Sequence, residues 1–302
     1  MDLITSKSNG PRSLSPIRLI LTALAVVVVG FLSLFVHDFA LIHLGIPYPQ
    51  EAPIPTTIRA IELFFIVLGF IWFVRLARVR LAVMSTLIAP LLVAALVAML
   101  DEFLRIVIIT TTLASHGWRH GYYVFAIADH GPKIAAQAAL AAFVVIVVRR
   151  TNRPRNLLLT AAVLAVFGAF LLIPWASALS AWLTAHLSAF DANNRYIPPY
   201  PVSIYAVIYG SYVEPTLAAF AMTGFAWPGL RGGLLHRAVT FCLVLLLVHG
   251  RIGQFAIESL WVEIASVPLR FAATGQFLLE TIVLGLACPL LWGLIVTGTR
   301  RH

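Results

Sequence analysis

Residues 149–176 read RRTNRPRNLLLTAAVLAVFGAFLLIPWA, in which four arginines within seven residues precede 21 residues without an ionisable side chain. An apolar segment of about 20 residues is long enough to cross a bilayer as a helix. Basic loops stay on the cytoplasmic side of such helices. This stretch therefore predicts a transmembrane helix that begins on the cytoplasmic side.

The same alternation of basic and apolar segments extends along all 302 residues. Apolar residues make up 61% of the chain and charged residues 11%, against about 45–50% and 25% in soluble domains. Fourteen of the 21 Lys and Arg residues lie in alternate gaps between apolar runs: Lys7, Arg12, Arg18, Arg75, Arg78, Arg80, Arg149, Arg150, Arg153, Arg155, Arg231, Arg237, Arg300 and Arg301. The pI is about 10.2. Because the basic residues are dispersed along the chain and form no single patch, we interpret them as residues that set the orientation in the membrane and contact anionic lipid headgroups, and not as a nucleic-acid-binding surface.

Eight apolar segments are each close to the length of a bilayer-crossing helix. They are residues 17–37, 57–76, 81–104, 131–149, 156–176, 203–226, 235–261 and 270–297. The sequence therefore predicts an all-α, polytopic protein of a cell inner membrane, with residues 1–16 as a cytoplasmic tail. An even number of spans places both termini in the cytoplasm, in agreement with the basic gaps.

The two halves of the chain resemble each other. Leu21-Thr22-Ala23 matches Leu159-Thr160-Ala161, and Asp101 coincides with Glu258 when each is counted from its preceding basic cluster. These matches predict a duplication, with repeats at 17–150 and 151–302. Four spans per repeat preserve orientation, so the repeats would be parallel and related by an axis along the membrane normal.

Three ionisable residues, Glu214, Arg251 and Glu280, lie near the middle of spans six, seven and eight. Such residues cost several kcal/mol in a membrane unless paired or solvated, and they often mark functional sites. Polar neighbours at helical spacing extend this cluster. The predicted substrate-binding residues are Arg251, Glu214, Glu280, Gln254, Glu258, Gln276, Tyr205, Tyr209 and Tyr212.

The first repeat has apolar residues at the positions equivalent to these three charges, namely Leu68, Ala94 and Phe143. A scaffold alone therefore does not need the charges, and the second repeat is expected to hold the site. The alternative is structural. Arg251 would then be an internal counter-ion of the two glutamates and would only fix the packing of three helices.

Other charges are expected at the outer boundary of the bilayer, as local structural pairs. Asp101, Glu102 and Arg105 share one helix face and would lie roughly 30 Å from Arg80 along a continuous helix. Arg59 and Glu62, at i, i+3, are expected to form a second pair.

An outer segment contains weak candidates for a Zn or Cu site, which are His116, His120, Asp129 and His130. Imidazole and carboxylate ligands suit these metals, but the same segment also suits an interfacial amphipathic turn. No cofactor is expected. Cys242 and Cys288 lie in apolar segments without CxxC spacing and are interpreted as buried thiols.

Three functions remain open. The first is a non-ATPase carrier or lipid-handling protein that binds an anionic small molecule or a lipid headgroup at Arg251, since a guanidinium suits phosphate and carboxylate. The second is a non-catalytic subunit or assembly factor with protein partners in a membrane complex. The third is an intramembrane transferase for a lipid-linked substrate at the outer face, with Glu258, Asp101 or His116 as base.

Overall fold

The computed structural model describes residues 16–49, 53–115, 120–191 and 202–296, and within these ranges it contains helices and no strand. The predicted all-α class is confirmed. The helices are α1 (Pro16–Asp38), α2 (Thr56–Leu76), α3 (Arg78–Ala82), α4 (Ile88–Leu100), α5 (Phe103–Ser115), α6 (His120–Arg150), α7 (Pro154–Phe167), α8 (Ile173–Ala185), α9 (Val202–Ser211), α10 (Val213–Ala226), α11 (Leu234–Val248), α12 (Arg251–Ala256) and α13 (Val267–Leu291). Wide π-helical turns extend α1 over Phe39–His43 and α13 over Trp292–Val296, and another, Gly168–Leu172, joins α7 to α8.

Five described helical stretches are long and apolar enough to cross a membrane: Pro16–His43, Thr56–Leu76, Gly121–Arg150, Pro154–Ala185 and Val267–Val296. The pair α11 and α12 makes a sixth if it is one span, and its two parts meet at an angle of 72°. The expected spans at 81–104 and 203–226 are not single helices. They are divided between α3, α4 and α5 and between α9 and α10.

Both the interior and the exterior of the bundle are apolar. On α7, for example, Ala161 and Ala165 are buried, while Leu159 and Val163 on other faces are exposed. A helix that is apolar all round is typical of a membrane span, because its outer face meets lipid instead of water. Small residues face neighbouring helices and allow their backbones to approach.

Helix α11 is held closely on two sides. A Cβ atom at Gly69 of α2 would lie 2.7 Å from the Val248 backbone nitrogen, and one at Gly285 of α13 would lie 2.9 Å from the Cα of Cys242. Only glycine permits such contact between helix backbones. Helix α11 is therefore held near its middle by α13 and at its end by α2.

Three of the helical segments break within the bundle. The breaks lie at Asp101–Glu102 between α4 and α5, at Tyr212 between α9 and α10, and at His249–Gly250 between α11 and α12. Gly250 has φ +69° and Glu102 has φ +61°, and Glu102 is the non-glycine residue with positive φ in the described part of the chain. Glycine adopts this conformation readily, but for a non-glycine residue such as Glu102 it costs about 1–3 kcal/mol and is concentrated at functional sites.

Candidate functional site

The three helix breaks contact one another. The Nε2 atom of His249 lies 3.9 Å from Oδ1 of Asp101, and the Arg105 guanidinium lies 4.9 Å from the centre of the Tyr212 ring. Irregular backbone at membrane depth is tolerated only where protein buries it or where it lines a polar cavity. The breaks therefore concentrate polar groups at one place inside the bundle.

One part of this region is a network of ion-paired and hydrogen-bonded side chains that connects α1, α5, α10 and α13. Arg105 forms an ion pair with Glu102, and the Tyr212 hydroxyl donates a hydrogen bond to the Glu280 carboxylate. Ser33 donates to the backbone oxygen of Glu280 at 2.7 Å. Tyr212 and Glu280 are only 1% and 3% exposed, so this network is closed to lipid.

Arg251 has a different environment. Its Nη1 donates to Oε1 of Gln254 at 2.6 Å, and its Nη2 donates to Nε2 of His249 at 3.2 Å. The guanidinium lies 5.2 Å from the centre of the Phe277 ring. Among the described residues no ion pair joins Arg251 to a carboxylate. Its side-chain hydrogen-bond partners are therefore Gln254 and His249, while Asp101 and Glu280 lie close enough to interact with its charge electrostatically.

The direct pairing of Arg251 with Glu214 and Glu280, expected from the sequence, is absent from the structure. Glu280 accepts from Tyr212 instead, although Arg251 and Arg105 both lie close enough to act on it electrostatically. Glu214 turns toward another helix. A guanidinium without a carboxylate partner remains able to bind an external anion.

Glu214 is a cap for a neighbouring helix. Its carboxylate accepts hydrogen bonds from the backbone amides of Leu104 and Arg105, at 3.0 and 2.6 Å. These amides belong to the first turn of α5 and have no carbonyl partner within their own helix. A carboxylate there also interacts favourably with the helix dipole. The role of Glu214 is therefore to stabilise the break between α4 and α5.

We expect Glu214→Ala to lower the free energy of unfolding by about 1–2 kcal/mol, as loss of a helix cap does. Thermal unfolding of the purified protein in detergent measures this effect. Glu263→Ala is the matched control because Glu263 is exposed and belongs to no ion pair within the described ranges. Equal stability of the two variants would rule out the capping role.

The structure brings together only part of the predicted substrate-binding set. Arg251, Gln254, Gln276, Glu280 and Tyr212 lie at the breaks or on the helices directly beside them. The others lie elsewhere: Glu214 caps α5, Glu258 lies near Glu62, and Tyr205 is next to Tyr209, which lies beside Asp38.

Several buried polar atoms at the breaks, or on α1 and α13 beside them, have no hydrogen-bond partner in the described structure. They are Nδ1 of His37, Oδ2 of Asp101, Nε of Arg105, Nδ1 of His249, Nε of Arg251 and Oε1 of Gln276. An unpaired buried polar atom costs about 1–3 kcal/mol. Native structures contain few of them, and each calls for an explanation such as a bound ligand. Their concentration at the breaks is typical of a binding site.

The single continuous helix that was expected to join Arg80 to Asp101, Glu102 and Arg105 is absent from the structure, although the predicted pairing of Glu102 with Arg105 is confirmed. The chain turns at residues 83–87, so α4 begins afresh at Ile88 and contains 13 residues, or about 20 Å. Asp101 therefore follows a separate helix of this length, and its distance along the chain from Arg80 does not measure its depth in a membrane. No ion pair joins Arg59 to Glu62, both of which are described.

His37 and His249 are site residues that the sequence did not single out. The His37 ring lies 5.0 Å from Phe277, and His249 contacts Arg251 and Asp101. The position of His249 near the middle of an apolar segment could have marked it as a candidate. Its contact with Asp101, however, joins segments that are distant in the sequence.

The weak metal candidates can be placed only in part. His116 lies outside the described residues, as does the side chain of His120. Nε2 of His130 lies 3.4 Å from Oδ2 of Asp129, and Ser180 donates to the Asp129 backbone oxygen at 2.6 Å. Over the described ranges no group of three or more His, Cys, Asp or Glu side chains is arranged to hold a metal ion.

No protein-family model, curated protein or solved structure matches this chain. The chemistry of the site itself is therefore the basis for a functional proposal.

Proposed function

We propose that this chain is a multi-pass inner-membrane protein that binds an anionic small molecule or a lipid headgroup at Arg251. It would act as a carrier or lipid-handling protein without an ATPase domain. The observation that carries the proposal is a partly buried guanidinium that forms no ion pair with a carboxylate of the described residues and lies among unpaired polar atoms. A guanidinium binds phosphate or carboxylate through two parallel hydrogen bonds, which makes it selective for these groups.

The helix breaks support a carrier or lipid-handling role over a purely structural one. Membrane carriers commonly place their ligand sites at discontinuous helices near the middle of the bilayer. Here the breaks of α4–α5, α9–α10 and α11–α12 are joined by side-chain contacts. A segment that ends at a break can reorient with few changes in backbone angle, so the site has the hinges that binding and release require.

The proposed topology has eight spans, with both termini in the cytoplasm. It counts α4 with α5, α9 with α10 and α11 with α12 as three broken spans, added to the five continuous ones. The alternation of basic gaps supports this orientation.

The proposed duplication is supported by equivalent helix contacts in the two halves. In the first half α4 packs on α6, and in the second half the equivalent helices α11 and α13 pack on each other. Likewise α2 packs on α7, and their equivalents α10 and α1 pack on each other. Helix α6 packs on α8 as α13 packs on α1. These equivalences support the proposal of parallel repeats, which would be related by an axis along the membrane normal. The Arg251 site would then be an addition specific to the second repeat.

We expect Arg251→Ala to weaken the binding of inorganic phosphate at least tenfold, because charge-assisted hydrogen bonds contribute about 1.5–3 kcal/mol. Isothermal titration calorimetry of the purified protein in detergent measures the affinity. Arg59→Ala is the matched control, since Arg59 is half-buried on α2 and acts electrostatically on Glu62, not on Asp101 or Glu280.

Expression and the unfolding temperature should remain close to those of the unmodified protein. An Arg251→Ala protein that fails to fold would instead support the structural role of Arg251. Unchanged phosphate affinity in a folded variant would contradict the proposed function directly.

A further inference from the structure

A groove of about 370 Å³ lies between the end of α1, its π-helical turn and α13. Its walls include Phe35, Phe39, Leu44, Ala272 and Leu279, and the polar residue in its lining is Gln276. Four of these apolar side chains are 43–60% exposed. The volume falls within the range of small-molecule sites, and the groove opens on the apolar exterior of the bundle.

The groove and the Arg251 site lie on opposite sides of one thin wall of side chains. Val36 lines the groove, and the next residue, His37, contacts Phe277 on the site side. Gln276 lines the groove, and the next residue, Phe277, lies under Arg251. Two chain segments thus each contribute one residue to the groove and the following residue to the site.

A third segment completes the same wall. Ile46 lines the groove, and the Tyr48 ring lies 5.3 Å from Phe277 and 5.8 Å from His37. A single layer of side chains therefore separates the groove from the guanidinium.

Gln276 is the residue of this wall whose side chain can most readily change its hydrogen bonds. It is 2% exposed, and its Nε2 donates to Ala273 at 2.9 Å and to Pro47 at 3.5 Å. Its Oε1 has no partner among the described residues. A rotation of this amide would break these two hydrogen bonds, one of which is long, and would turn the Nε2 donor toward a ligand phosphate. The π-helical turn Phe39–His43 beside it belongs to a class of turn that is frequent at functional sites.

The geometry points to a phospholipid as the ligand, with one acyl chain in the groove and its phosphate at Arg251. This inference rests on the proposed function and names its ligand class. A lipid chain gains little from leaving other lipid, because acyl tails are as apolar as the groove. The phosphate–guanidinium contact therefore provides the selectivity, and the groove provides access from within the bilayer. A water-soluble anion would make no use of the groove.

The test uses the full chain reconstituted in phosphatidylcholine vesicles that contain phosphatidylglycerol with a diazirine on its acyl chain. Photolabelling followed by mass spectrometry should place the labels in residues 35–46 and 272–279. Ala272→Trp, which fills the groove, should reduce this labelling at least tenfold. Leu279→Trp provides a second groove variant in case the first does not fold. Val163→Trp adds the same bulk at a residue that is 57% exposed on α7 and should leave the labelling unchanged.

A parallel titration with inorganic phosphate separates the two proposals. The phospholipid inference is overturned if labels spread evenly over exposed residues and Ala272→Trp has no effect while phosphate still binds through Arg251. In that case the proposed anion site survives. If Arg251→Ala changes neither phosphate binding nor lipid labelling, the anion site itself is wrong and the phospholipid assignment is overturned with it.

Discussion

Gly69→Ala should destabilise the protein by up to about 3 kcal/mol, the usual range for overpacking a buried contact, and Gly69→Leu should abolish folded protein. A Cβ at residue 69 would lie 2.7 Å from the Val248 backbone nitrogen and 2.9 Å from the Leu247 carbonyl carbon. These backbone atoms cannot rotate away as a side chain can. Helix α11 also cannot shift as a whole, because Gly285 of α13 holds it closely from a second direction.

Thermal unfolding in detergent and size-exclusion chromatography measure this effect, and Gly210→Ala is the matched control. Gly210 lies within α9, and a Cβ there would meet no atom within 4 Å. Alanine is favoured over glycine in a helix by up to about 1 kcal/mol, so this control should be neutral or more stable. Equal effects of both substitutions would show that the close approach of α2 and α11 is not required.

The apolar segments could be predicted from the sequence because hydropathy reports membrane spans almost independently of tertiary structure. The expected span at 57–76 corresponds to α2, Thr56–Leu76. The hydrogen-bond and ion-pair partners of the charged residues could not be predicted in the same way. Glu214 caps amides that lie about 110 residues earlier in the chain, and no local pattern encodes such a contact.

Helix breaks were the other feature that the sequence did not reveal. Arg251, Gln254 and Glu258 share one face of an ideal helix, but α12 ends at Ala256 and a 3-10 turn follows at Glu258–Leu260. The turn separates Glu258 from the other two and places it near Glu62. Glu102 adopts a left-handed conformation that glycine normally supplies. Tertiary contacts at the site, and not local preference, therefore fix this backbone.

Arg105→Met should lower the free energy of unfolding by about 3–5 kcal/mol, the usual cost of removing one partner of a buried ion pair. The Arg105 and Glu102 side chains are 14% and 13% exposed. The guanidinium also acts electrostatically on Glu280. Methionine preserves much of the side-chain volume, so the loss reports the missing charge and not a cavity. Chemical or thermal unfolding in detergent provides the measurement, with Arg59→Met as control.

The double variant Arg105→Met/Glu102→Gln separates an uncompensated charge from lost packing. Glutamine keeps the shape of Glu102 without its negative charge, so the double variant should be more stable than Arg105→Met alone. The two substitutions are therefore expected to be strongly non-additive, as contacting residues are in double-mutant cycles. Additive losses would instead mean that Arg105 stabilises the helix break through its contact with the Tyr212 ring, at 4.9 Å, and not by neutralising Glu102.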